Sequence, residues 1–218
     1  MIKQADILRL LHFALDKEVG RQPDQWWSFP DADTALLTVV AWGPWSVQRQ
    51  EKVAKQAILK AAGKKIHELP PDIKLYPLRF QNQIINRMTR YLRNKGISLE
   101  ELCSRLRKHS ADAVRRFLLA VVGLRRSKVI ECFIRDYLHL DSFPLDRWAI
   151  RTLKKFGLPT DERKIVRLCK EAKINPRELN RQIYEAVLEG KLEKVWKKTE
   201  ELIKKWSQIR DTSAGSTL

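Results

Sequence analysis

The feature that most constrains this chain is its punctuation. Glycines and prolines cut it into short segments, and within each segment apolar residues recur every three or four positions rather than every second one. Residues 2–18 put Ile2, Ile7, Leu8, Leu11 and Leu15 on one helical face, and Phe80 to Arg93 repeats the pattern with Ile84, Ile85, Met88, Tyr91 and Leu92. One stretch, 34–42 (TALLTVVAW), is apolar throughout and reads as a buried strand or a helix; helical neighbours on both sides favour helix. A basic helix runs from about Ser46 to Ala62 and stops at Gly63, while Pro70, Pro71 and Pro77 forbid a long helix in the next segment. Start signals recur: Ser98 with Glu101 as a capping box, Ser110 ahead of 111–122, and Asn175-Pro-Arg-Glu178. The predicted fold class is all-α, with a disordered tail at 211–218 (DTSAGSTL).

The 218 residues make one large domain or two small ones sharing a cleft. No run approaches the ~18 apolar residues of a membrane span. Charges at Lys3, Asp6 and Arg9 argue against a secretory leader. Cys103, Cys132 and Cys169 are odd in number and far apart, which argues against a disulfide framework. An intracellular location, in cytoplasm, nucleoid or nucleus, is expected. Lys and Arg number 43 against 26 for Asp and Glu, a net charge of +17, and such an excess attracts polyanions. Nucleic acid is the expected partner, with an anionic membrane surface the competitor.

The chemically informative segment is 117–157, FLLAVVGLRRSKVIECFIRDYLHLDSFPLDRWAIRTLKKFG. It reads as a helix, a turn at Gly123, a second helix from about Ser127, a loop, and a third helix opened by Pro144-Leu145-Asp146. Gly123 can take the left-handed conformation that ends a helix. The start of the second helix offers unsatisfied backbone N–H groups and a positive dipole end to a phosphate, and Arg125, Arg126 and Lys128 add charge there. Two helices joined this way can dock on a DNA backbone without reading sequence.

These residues resemble the helix–hairpin–helix DNA glycosylases, the superfamily that includes endonuclease III. Lys128 precedes Asp146 by 18 residues, the separation of that branch's catalytic pair. KVIEC (Lys128 to Cys132) is similar to the lysine neighbourhood of eukaryotic 8-oxoguanine glycosylases, and FPLDRWAIRTL (Phe143 to Leu153) to the matching segment of archaeal ones. Weaker similarity lies upstream, in TALLTVVAWGPWSVQRQEKVAKQAI and LRFQNQIINRMTRYL. The resemblance covers residues 34–157. It departs at the hairpin, where Arg125 stands in place of the family's second Gly. Aligned on Gly123, Ser127 takes the catalytic position; aligned on Asp146 and KVIEC, Lys128 does, and the second alignment is favoured. The four-cysteine run that holds an iron–sulfur cluster is absent, so no cluster is expected. Relatives hold a cation at the hairpin, which nothing in these residues requires.

The resemblance implies a base-excision enzyme of two helical lobes, 1–33 with 158–210 and 34–157, with DNA in the cleft between them. As the base leaves, positive charge builds on the sugar, and the Asp146 carboxylate would stabilise it or activate the nucleophile. The Lys128 amine would attack the anomeric carbon and form a Schiff base, giving AP-lyase activity. Against these stand a plain helix cap for Asp146 and a phosphate-binding lysine for Lys128. Gly123, Arg125, Arg126 and Ser127 would hold the DNA backbone. Trp45 and Gln48 would wedge into the gap left by a flipped nucleotide. Trp42 and Cys132 would line the base pocket, although a Trp or Cys at such positions is as readily buried structure. Trp26, Trp27 and Phe29 look like core aromatics. The lysines at 191, 194, 197, 198, 204 and 205 form a solvated face, and His12, His67, His109 and His139 lack metal-ligand spacing. The expected protein is a monomer acting on duplex DNA that carries a damaged or mismatched base, 8-oxoguanine slightly favoured, with no membrane partner. The alternatives are a monofunctional glycosylase for mismatched or modified pyrimidines, and a DNA-binding module without catalysis.

Overall fold

A computed structural model describes residues 2–20, 28–42, 47–125 and 127–214. Among these residues the chain is all-helical: α1 (Gln4–Val19), α2 (Ala32–Ala41), α3 (Val47–Ala61), a 3-10 turn (Ile66–Glu68), α4 (Arg79–Lys95), α5 (Leu99–Leu106), α6 (Ala111–Val122), α7 (Lys128–Asp136), α8 (Arg147–Lys155), α9 (Glu162–Ala172), α10 (Pro176–Leu188) and α11 (Leu192–Ala214). None of them is long and apolar enough to cross a membrane. The apolar run at 34–42 is helical, started by Asp31, whose carboxylate accepts from Thr34 N at 2.7 Å. Ser98 caps α5 through Glu101 N, but the reciprocal half of the expected box is not made. The Glu101 carboxylate instead takes Arg105 Nη2 at 2.6 Å.

The chain divides into two compact units, 1–26 with 141–218 and 27–140. The expected lobes put the second boundary at Gly157; it falls at Leu140 because 141–157 pack with the terminal helices. Phe143 is fully buried in that unit's core beside Leu8, Leu153 and Leu179. Ser142 Oγ and Phe143 N both donate to Glu162 Oε1, at 2.9 and 3.1 Å, and Asn180 Nδ2 donates to Pro144 O at 3.1 Å.

In the first unit α1 lies against α9, α10 and α11. Trp196 is buried, its indole N–H donating to Thr152 Oγ1 at 3.2 Å. Glu18 takes Lys194 and Lys198 at 2.7 and 2.8 Å, and those two ammonium groups hold its carboxyl down at about 2. Two lysines of the expected solvated face are therefore structural clamps between α1 and α11. The helix also continues four residues into the expected tail, to Ala214, since no Gly or Pro stops it before Gly215.

In the second unit α2 is the buried axis, with Ala35, Leu36, Val39 and Val40 inaccessible to water. It packs on α3, α4, α5 and α7. Its one buried acid, Asp33, accepts from Ile66 N at 2.7 Å, which satisfies a carboxylate that would otherwise be costly to bury.

Candidate nucleic-acid interface and catalytic residues

The α6–α7 connection lies within the second unit. Helix α6 ends at Gly123, with φ 62° and ψ 41°; Gly123 N donates to Ala120 O at 3.1 Å and Leu124 N to Leu119 O at 2.9 Å. This closure consumes both N–H groups of the turn's first half, so any anion contact falls to the residues after Leu124. A second reason for glycine is Arg87 of α4, whose Nη1 donates to Val122 O at 2.9 Å. A Cβ on residue 123 would lie 1.3 Å from that nitrogen.

Ser127 caps α7, its hydroxyl accepting from Ile130 N at 3.3 Å, and Lys128 is the first helical residue. Lys128 is exposed, and every later residue of α7 is buried. Arg125 is exposed in the same turn, whereas Arg126 lies outside the described residues.

Arg87 belongs to a second feature that the sequence reading did not single out. A polar groove of about 690 Å³ is lined by four cations, Lys74, Arg79, Arg87 and Arg90, against one acid, Asp72, together with Asn82, Gln83 and Asn86. Positions 79, 83, 86, 87 and 90 recur at helical spacing, so one face of α4 is basic and amide-rich, and this periodicity was the available signal. The wall opposite is held by Asn82, whose Oδ1 accepts from Leu75 N and Tyr76 N at 2.8 and 2.9 Å. Asn86 Oδ1 is buried without a hydrogen-bond partner.

Asp146 lies in the first unit, as the N-cap of α8. Its Oδ1 accepts from Trp148 N and Ala149 N, both at 2.8 Å. The approach is stiffened by Pro144, whose carbonyl accepts from Asp146 N as well as from Asn180. Beyond it the guanidinium of Arg147 lies 4.8 Å from the Trp148 ring centre, and that of Arg151 5.1 Å from the Trp196 ring centre.

The expected pocket residues sit deeper. Trp42 is half-buried at the end of α2, its ring 6.5 Å from Phe29, which meets Tyr137 at 6.5 Å; Tyr137 stacks on Phe133 at 5.4 Å. Cys132 is 2% exposed within the same core, so Lys128 and Cys132, one helical turn apart, meet different surroundings. Trp45 and the Gln48 side chain lie outside the described residues, as do Trp26 and Trp27.

No family model, curated protein or solved structure matches the chain.

Proposed function

We propose that this protein is a base-excision DNA glycosylase with AP-lyase activity, built on a helix–hairpin–helix grip. The observation that carries the reading is Lys128: an exposed lysine on the first turn of a helix otherwise buried, entered through a left-handed glycine turn. The basic groove along α4, joined to that turn through Arg87, supplies phosphate contacts. Ser127 spends its hydroxyl on the cap, which supports Lys128 over Ser127 as nucleophile. In this reading the Lys128 amine adds to the anomeric carbon as the base departs. The Asp146 carboxylate, oriented by two backbone N–H groups, stabilises positive charge on the sugar. The reading involves no iron–sulfur cluster, since the four-cysteine run that holds one in endonuclease III is absent from these residues.

The binding-module reading draws on Asp146, whose two cap bonds are what any helix-starting aspartate makes. A panel of single-lesion duplexes, read for base release and for borohydride-trapped adducts, separates the readings. Release with trapping that vanishes in Lys128→Gln is the expected result. Release without trapping leaves a monofunctional glycosylase; binding without release leaves the module. 8-oxoguanine is the first lesion to try, followed by thymine opposite guanine.

A further inference from the structure

We propose that His12, Asp16 and Glu178, backed by the Gln182 amide, bind a divalent transition-metal ion that ties α1 to α10. The four residues form two i, i+4 pairs on packed helices, so each helix presents two side chains to the other. Donor atoms of His12, Asp16 and Glu178 all lie within 4.8 Å of one another, on side chains that are neither fully exposed nor sealed off. Bonds of about 2.0–2.2 Å require that spread to contract by about an ångström, which half-exposed carboxylates can supply.

Three further observations point to a cation. Glu178 stands three residues after the Asn175 cap, where it would bond back to that cap's N–H. Its carboxylate instead lies beside Asp16, and among the described residues it has no Lys or Arg partner in a protein with a net charge of +17. Gln182 is wholly buried; its Nε2 donates to Asp16 Oδ1 at 2.5 Å, which holds the amide against the cluster, and its Oε1 has no partner. His12 Nε2 is likewise buried without a partner, while Nδ1 lies 3.7 Å from Asp16 Oδ2. Unpartnered polar atoms beside two carboxylates that have no Lys or Arg partner among the described residues form a setting that a cation would satisfy. Two negative charges neutralise a divalent ion. An imidazole among oxygen donors favours zinc over magnesium.

The test is calorimetric titration of EDTA-stripped full-length protein with ZnCl2, with MgCl2 as the hard-ion comparison, alongside thermal melting. One saturable zinc site per chain is expected, not competed by equimolar magnesium, and zinc should raise Tm. His12→Gln and Glu178→Gln should each weaken zinc at least ~10-fold and abolish the rise in Tm. Glu178 is half-exposed, so its variant keeps the fold, which circular dichroism checks. Absence of a saturable site overturns the proposal, as does zinc binding that both variants leave unchanged. Neither outcome bears on the excision chemistry.

Discussion

Gly123→Ala perturbs the α6–α7 turn in two separable ways. The first is intrinsic: φ of 62° is left-handed, and a residue with a Cβ reaches it at a cost of about 1–2 kcal/mol. The second is steric. The new Cβ would stand 1.3 Å from Arg87 Nη1, so the guanidinium must withdraw and release Val122 O. A hydrogen bond from a charged donor contributes about 1.5–3 kcal/mol. The two together predict a loss of about 2.5–5 kcal/mol. Arg87→Ala alone should cost about 1.5–3 kcal/mol, and Gly123→Ala added to it only the backbone share, about 1–2 kcal/mol. Equilibrium urea unfolding of the four proteins closes the cycle, with an expected coupling of about 1.5 kcal/mol or more. Additivity to within about 0.5 kcal/mol would show that the glycine owes nothing to Arg87.

Three further outcomes are expected. Asp146→Asn keeps a good cap, so stability should hold to within ~0.5 kcal/mol while base release slows at least ~100-fold; equal retention of both reduces Asp146 to a cap. Arg79→Ala and Arg90→Ala should each make the slope of log affinity against log salt shallower by about one unit on duplex DNA of any sequence, read by fluorescence anisotropy. The Glu18 carboxyl is lowered from 4.5 to about 2 by Lys194 and Lys198, so its share of stability is full above about 4.5 and lost as pH falls toward 2. Glu18→Gln should flatten that arm of the stability–pH curve, and an unchanged arm would show that the clamp is not felt on folding.

What could be read in the sequence is what is local. The caps at Ser98, Ser110, Ser127, Asp146 and Asn175 each bond a backbone N–H two or three residues on, so short strings suffice to specify them. The helical reading of 34–42 rested on neighbours of the same kind, and it holds. The domain boundary was not local: Phe143 and Pro144 are claimed by Glu162 and Asn180, 19 and 36 residues away. The same holds for Arg87, 35 residues from the carbonyl that it binds, and more strongly for Gln182 and Asp16, which stand 166 apart. Histidine spacing along the chain therefore said little about His12, because only Asp16 is local to it and Glu178 and Gln182 come from the other end of the sequence. Trp42 and Cys132 were ambiguous for another reason. Both side chains suit a core as well as a pocket, and packing alone fixes their exposure.

Packing also resolves which residue of α7 reaches solvent, and a polar device takes part in it. Helix α7 buries Glu131, Arg135 and Asp136 together with its apolar residues. Glu131 takes Arg115 Nε from α6 at 2.7 Å, and Arg135 forks onto Asp136 at 2.7 and 2.6 Å. A buried charge deprived of its partner costs about 3–5 kcal/mol, so turning α7 by even one residue, which carries Glu131 away from Arg115, is strongly opposed. Ser127 fixes where the helix begins and the α6–α7 pair fixes its rotation. With both fixed, the serine hydroxyl faces back onto the backbone and Lys128 is the exposed residue of the helix. A group meant to react with a partner must be held by elements that do not yield when the partner binds. A helix buried after its first residue, pinned to α6 by the Arg115–Glu131 pair and entered through a glycine that a neighbouring arginine overlies, would meet that requirement at Lys128.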